Sequence, residues 1–311
     1  MVLFNYVLMC LIFSTTFLAV KIGVDASAPP FLSGGIRFFV AGLILFMWML
    51  WRKKASLTLL FHKEMLITGF GLTFGTFSAL YWGEQYVSSG MAAVLSATGP
   101  ILVLIIQITI MRHKPSVHSL IGCVIGFIGV IIMMAPSMAV SEHSWMLIGS
   151  IVIIAGELFY AGGAIYSKRV AKRFADISPI ALNASQMLYG GALLLLLSAF
   201  TEQWHFQNML STRALGSLLY LIVIGSMIGH SLFYWLIAKT TPIFASTWLY
   251  VSPMLALFVG VLFYRESLTW MSAVGAITIL IGTAIVNYDS LKQLFEKPLR
   301  AKKRLQDVQT R

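Results

Sequence analysis

Charge is scarce in this chain. Only 11% of its 311 residues are Asp, Glu, Lys or Arg, against about 25% in an ordinary soluble domain. Disordered chains are polar and charge-rich, so disorder is excluded. Cysteine is nearly absent. Cys10 and Cys123 both stand in apolar runs, which excludes a disulfide framework and reads as small-residue packing. The six His residues are scattered without metal-ligand spacing, so no metal site is expected. No Gly-x4-Gly-Lys-Ser/Thr loop is present to cradle a nucleotide phosphate. No Asp-x-x-x-Asp or His-rich cluster is present to hold a metal and a diphosphate, as an intramembrane transferase would need. No cofactor is implied, and enzyme chemistry is not expected.

Apolar surface, by contrast, is abundant. Hydrophobic residues make up 59% of the chain and the mean hydropathy is +0.86. A soluble core of this length could not hide that much, so the class is a polytopic helical membrane protein. Runs of about 20 apolar residues mark ten spans, at 2–21, 30–51, 65–83, 90–111, 117–136, 145–167, 179–200, 214–237, 243–264 and 270–288. They lack the alternation of an outer-membrane barrel. Met1–Asn5 has no basic residue, so the first run reads as a retained helix and not as a signal peptide.

The net charge of +11 would suggest nucleic acid in a soluble protein. No basic and aromatic interleaving supports that here, and the positive-inside rule explains the excess. With the N-terminus in the cytoplasm, the outside segments hold only Lys21, Arg213 and Arg265, and Arg37 lies within a span. The other Lys and Arg residues all fall inside, seven of them in a basic tail, 289–311. Both termini are therefore expected in the cytoplasm of a multi-pass cell-membrane protein.

The chain repeats itself. At an offset of 153, Tyr81-Trp82 falls on Tyr234-Trp235, Pro100 on Pro253, Arg112 on Arg265, Gly122 on Gly275 and Gly129 on Gly282. One residue of slip aligns Gly71-x3-Gly75 with Gly225-x3-Gly229; at offset 149, Pro30 meets Pro179 and Arg37 meets Gln186. The halves are 1–136 and 145–288, joined around Ser141-Glu142-His143. Five spans per half is an odd number, so the second half enters from the opposite side. Inverted halves that exchange conformations are the usual basis of alternating access to a midplane site.

The pattern resembles the EamA branch of the drug/metabolite transporter superfamily. The resemblance covers the chain up to about Tyr288. It rests on Phe13 to Lys21, Pro30, Arg37-Phe38 with Ala41, Ala92 to Pro100, Ala245 to Pro253 and Tyr264-Arg265-Glu266. Phe13-Ser14 replaces a common Trp-Gly pair, and Arg112-His113 replaces a common Gly-Glu pair. The resemblance implies an all-α integral membrane protein, with ten transmembrane helices in two inverted five-helix repeats around a central cavity. It implies secondary transport, often export, of amino acids, other small metabolites or drugs.

Ionisable groups inside spans are costly and need a reason. Glu157 is a candidate for handling a proton, as coupling ion, or a cationic substrate; the alternative is a buried carboxyl paired with Arg37 or capped by hydroxyls. Arg37 could bind a substrate carboxylate through its planar fork or serve as a structural counter-ion. Pro100 and Pro253 are expected near mid-span, as hinges or static kinks. Tyr81, Trp82, Tyr234 and Trp235 are candidate gates, with interface anchoring as the alternative. Tyr250, Trp248, Tyr160, Asn183, Gln186 and His230 could line the cavity. A passive facilitator is the competing function. The partners expected are a small-molecule substrate and the bilayer. The oligomeric state has no signature.

Overall fold

The computed structural model describes residues 2–110, 112, 116–139, 144–204, 206–239, 248–286 and 288. Among them every regular element is a helix. The long apolar runs leave no alternative, because a helix satisfies its own backbone groups where water is missing.

Helix α1 is Val2–Asp25 and α2 is Pro30–Trp51, followed by a 3₁₀ turn at Leu57–Phe61. Helices α3, Lys63–Gly83, and α4, Ser89–Thr109, come next, then α5, Val117–Ala139, α6, Ser144–Arg173, and α7, Pro179–Thr201. A one-turn helix, Phe206–Met209, leads to α8, which runs as Thr212–Tyr220, Leu221–Gly229 and His230–Lys239. The last two are α9, Trp248–Tyr264, and α10, Trp270–Val286. Seven of these, α1 to α4 and α6 to α8, are long and apolar enough to cross a membrane; α5, α9 and α10 contribute shorter apolar stretches. The tail from 289 and the linker 140–143 lie outside the described residues.

Local chemistry sets the boundaries. Pro30 and Pro179 each stand first in their helix, where the missing N–H costs nothing. Ser88 caps α4 by accepting from Met91 N at 3.2 Å, and Ser211 caps α8 by accepting from Ala214 N at 3.3 Å, as small hydroxyl residues do. Two π-helical stretches interrupt otherwise regular helices, Phe70–Gly75 in α3 and Leu221–Gly229 in α8. They fall on the two glycine pairs that the repeat aligns.

The prolines behave differently from one another. Pro253 lies inside α9. Pro100 does not sit within a continuous helix: α4 stops at Ser96 and resumes at Gly99, so Pro100 is near the start of a new segment. There it replaces an N–H that would have no partner. Thr283 of α10 donates to the Ala97 carbonyl left by the break, at 3.1 Å.

Two glycine seams bring backbones together. Along α2 and α7, a Cβ on Gly42 would meet the Ala184 carbonyl at 2.9 Å, and one on Gly191 would strike the Phe39 backbone. Along α5 and α10, a Cβ on Gly282 would strike the Gly126 backbone, and one on Gly129 would lie 2.6 Å from Ile279 N. Membrane helices associate through such close small-residue packing. The largest apolar cluster, around Phe17, Val94, Leu95, Met133, Ile153 and Ile279, ties α1, α4, α5, α6 and α10 together. The flanks stay greasy, with Phe200 86%, Phe263 72% and Ile131 61% exposed, a surface suited to lipid.

Candidate functional site

Arg37 and Glu157, ionisable groups of opposite type in the bundle interior, do not meet. Arg37 on α2 is 2% exposed. Its Nε donates to Ser226 Oγ at 2.9 Å, Nη1 approaches the Tyr81 hydroxyl at 3.5 Å, and the guanidinium lies 4.6 Å from the Phe38 ring centroid and 5.3 Å from that of Phe77. Gly225 leaves room beside it, since a Cβ there would be 3.4 Å from Nη2. Ser226 and Gly225 belong to the π-helical stretch of α8, so the irregular turn is what presents the hydroxyl to Arg37. Among the described residues Arg37 forms no ion pair.

Glu157 on α6 is 5% exposed. It is held by the Ser96 hydroxyl, which the break in α4 exposes. Gly99 makes this approach possible: a Cβ there would stand 2.6 Å from Glu157 Oε2 and 3.2 Å from the Tyr160 ring. The expected alternative of an Arg37–Glu157 pair is therefore replaced by two separate arrangements. Arg37 rests on α3 and α8, and Glu157 rests on the α4 break.

The remaining candidates fall into groups. Thr73, in the π-helical stretch of α3, donates to Gln186 Oε1 at 3.2 Å, and Gln186 donates to Asn183 Oδ1 at 2.8 Å. His230 and Trp248 come together on the two sides of Phe13, at centroid distances of 5.3 and 4.7 Å. Tyr81 is fully buried among Ala19, Val20 and Leu221, beneath Arg37 and not at a surface belt. Trp82 packs on Tyr86, which stacks on Trp145. Trp235 is half-buried against the cluster of Met9, Phe13 and Leu236. The side chains of Tyr234 and Tyr250 lie outside the described set.

A third charged group escaped the sequence reading. It occupies the end of the bundle where α1 finishes, the Asp25 end. Lys21 Nζ bonds Asp25 Oδ1 at 3.0 Å and the Glu84 carbonyl at 2.9 Å. The Tyr264 hydroxyl donates to Asp25 Oδ2 at 2.8 Å. Glu202 accepts from the backbone N–H groups of Phe31 and Leu32 at 2.7 and 2.9 Å, at the start of α2. Glu266 accepts from Ser89 N and Gly90 N at 2.7 and 3.1 Å, at the start of α4. Glu202 and Glu266 thus each sit on the positive end of a helix from the other half of the chain. A shallow open pocket of about 470 Å³ lies alongside, lined by Asp25, Ser27, Pro30, Gln85, Tyr86 and Glu202. One sequence signal was available. The chain has 11 acidic residues, and Asp25, Glu84, Glu202 and Glu266 all gather here.

Apolar flanks, long apolar helices and buried ionisable groups define a multi-pass membrane protein. The EamA-like transporter family matches residues 1–135 and 147–288, and the chain belongs to that family. It is 28% identical over 287 residues to the uncharacterized transporter YoaV of Bacillus subtilis, covering 90% of this chain and 94% of that one. It is 29% identical over 281 residues to the uncharacterized inner membrane transporter YedA of Escherichia coli K12, covering 87% and 86%. A relative in Chlamydia trachomatis, named as an S-adenosylmethionine/S-adenosylhomocysteine transporter, is 28% identical over 308 residues, covering 94% and 91%. A solved crystal structure superposes with a TM-score of 0.63 at 17% identity, covering 93% of this chain and 98% of the other; that likeness speaks for the fold. The chain is accordingly a membrane transporter, and the three relatives above are named as transporters.

Proposed function

We propose that this protein is a secondary carrier that exports small organic molecules by alternating access. Ten spans form two inverted repeats, 1–136 and 145–288, with both termini in the cytoplasm, so the Asp25 end faces outward. Three things support the inverted arrangement. The glycine seams pair α2 with α7 and α5 with α10, which stand at equivalent places in the two halves. The π-helical stretches occur in the equivalent helices α3 and α8. The repeat-matched Arg112 and Arg265 share the left-handed backbone, at φ 52° and 54°.

The observation that carries the substrate reading is Arg37, a buried guanidinium with a serine, a tyrosine and two aromatic faces around it and, among the described residues, no carboxylate at ion-pair distance, Glu84 acting on it only from farther off. Leaving such a charge uncompensated is expensive, and an incoming carboxylate offsets that cost through the bidentate geometry of arginine. The cargo is therefore a small molecule bearing a carboxylate, as amino acids do. Glu157 with Tyr160 and Ser96 forms a second polar point for an amine or a proton. Phe13, His230 and Trp248 provide aromatic faces for the remainder, and Asn183 with Gln186 closes the polar path between α3 and α7. Pro100 serves as the hinge of α4, with Pro253 as its counterpart in α9; Tyr81, Trp82, Tyr234 and Trp235 flank the routes in and out.

The test is counterflow in proteoliposomes loaded with single amino acids, S-adenosylmethionine, other carboxylates or cationic dyes, with and without a pH gradient. Saturable exchange of a carboxylate, reduced at least about tenfold (about 1.4 kcal/mol) by Arg37→Gln, is expected. Linear, non-exchanging flux would make the protein a passive facilitator, and unchanged flux in Arg37→Gln would remove the substrate anchor.

A further inference from the structure

Glu84 directly follows α3, at the Asp25 end. It is 0% exposed, and neither carboxyl oxygen has a hydrogen-bond partner. Every other carboxylate described at this end is engaged: Asp25 with Lys21 and Tyr264, Glu202 with the start of α2, Glu266 with the start of α4. Lys21 is the adjacent cation, yet its Nζ bonds Asp25 and the backbone carbonyl of Glu84, leaving the Glu84 carboxyl unpaired. The charged and titratable groups facing Glu84 are Lys21 and Asp25 from α1, Arg37 from α2, Tyr81 from α3 and Glu266 from beyond α9. Helix α6, packed along this end of α3, contributes Gly149 and Ile153, which carry no charge. Burial holds the Glu84 carboxyl well above the usual carboxylate range; Lys21 and Arg37 pull it down, Glu266 and Asp25 push it up.

A dry carboxylate with no donor is costly, whereas the neutral acid is tolerated. No grouping of three His, Cys, Asp or Glu able to hold a metal exists among the described residues, so the ligand that answers this geometry is a proton. At this end the two halves meet through Glu202 on α2, Glu266 on α4, Tyr264 on Asp25, and Asn208 Nδ2 on the Ser27 carbonyl at 3.3 Å. Two of these contacts involve Glu266 and Asp25, the carboxylates that act on Glu84, so an opening there is the route by which outside water would reach it.

We propose that Glu84 is a proton-binding site of the outer gate, which takes up one proton from outside water as the outer end closes over it, so that external acid favours the outward-closed state. This rests on the carrier reading and adds a regulated step to it. The sign follows from linkage: the closed state binds the proton more tightly, so closure strengthens as pH falls and weakens as pH rises through the closed-state value.

The experiment uses the full chain in proteoliposomes with Cys10 and Cys123 replaced by Ala and nitroxides at Gln85 and Gln203, exposed positions on either side of the outer pocket. Electron-electron double resonance reads the distance between them. From about pH 8 to about pH 5 the closed-to-open ratio is expected to rise by up to about tenfold per pH unit, the limit for one proton. Glu84→Gln, a permanent mimic of the neutral acid, should hold the short distance at every pH. A wild-type distribution that ignores pH overturns the proposal without need of any variant, and so does a pH response that survives in Glu84→Gln. The double variant Glu202→Ala/Glu266→Ala separates the two levels. If it lengthens the distance while pH does nothing, only the proton site falls. If neither moves the labels, no outer opening exists, and the carrier reading falls with it.

Discussion

The two ends of the bundle are fastened in different ways. At the Asp25 end the halves are joined by carboxylates that each grip two backbone N–H groups, with Glu202 on Phe31 and Leu32 and Glu266 on Ser89 and Gly90. At the opposite end the joining contacts are the Arg173–Glu64 ion pair, with the arginine side chain 63% exposed, and the Tyr189 hydroxyl on the Leu60 carbonyl. Hydrogen bonds to a charged acceptor contribute about 1.5–3 kcal/mol each, and partly buried caps are little screened. In the Arg173–Glu64 pair the carboxylate is buried and the arginine faces solvent, so desolvation of the acid offsets much of the attraction, and the solvated arginine keeps the net contribution to about 0–1 kcal/mol, weakened by salt. The difference teaches which end yields first: the Asp25 end is the latched one in this conformation, and the Arg173 end is the looser.

That contrast can be broken by mutation. The largest effect is expected from Glu202→Ala/Glu266→Ala, which removes four charge-assisted bonds at once. Opening of the Asp25 end should then dominate, seen as increased maleimide labelling of a cysteine placed at Ser89, which is buried here. Labelling no faster than in the parent would mean that the caps do not hold the end shut. Next is Gly282→Leu in the α5/α10 seam, where added side chain meets the backbone of Gly126; overpacking of this kind costs about 1–3 kcal/mol and should lower the thermal midpoint in detergent by several degrees. Tyr189→Phe should cost about 0.5–1.5 kcal/mol and loosen only the Arg173 end, read by cysteine labelling near Leu60. The smallest change is expected from Glu64→Gln, within about 1 kcal/mol and weaker at high salt. A larger effect of Glu64→Gln than of the double cap variant would reverse the ranking of the two ends.

Much of the fold could be read without coordinates. Apolar runs located the helices to within a few residues, whereas the π-helical turns of α3 and α8 at the aligned pairs Gly71/Gly75 and Gly225/Gly229 had no signature of their own in the sequence. Single-residue chemistry picked out Arg37 and Glu157 as interior charges, because a charge inside an apolar run is visible locally. Their partners were not visible. Ser226 lies 189 residues from Arg37, and Ser96 reaches Glu157 only because α4 breaks. The carboxylate caps were hidden for the same reason: Glu202 follows one helix and serves the start of another 171 residues away. Pro100 was expected near mid-span as a hinge or static kink and instead stands near the start of a new segment, because the helix already breaks at Ala97 and Thr98 before it.

The α5/α10 seam has a consequence for how the protein is made. Helix α5 presents Gly122 and Gly129 to α10, which is translated well after it. About 130 residues separate the two, so at roughly 5–20 residues per second α5 waits on the order of 10 s with its smooth face against lipid. The seam therefore closes only with the arrival of α10, and chains truncated before Trp270 should remain recognisable to membrane quality control by that uncovered groove.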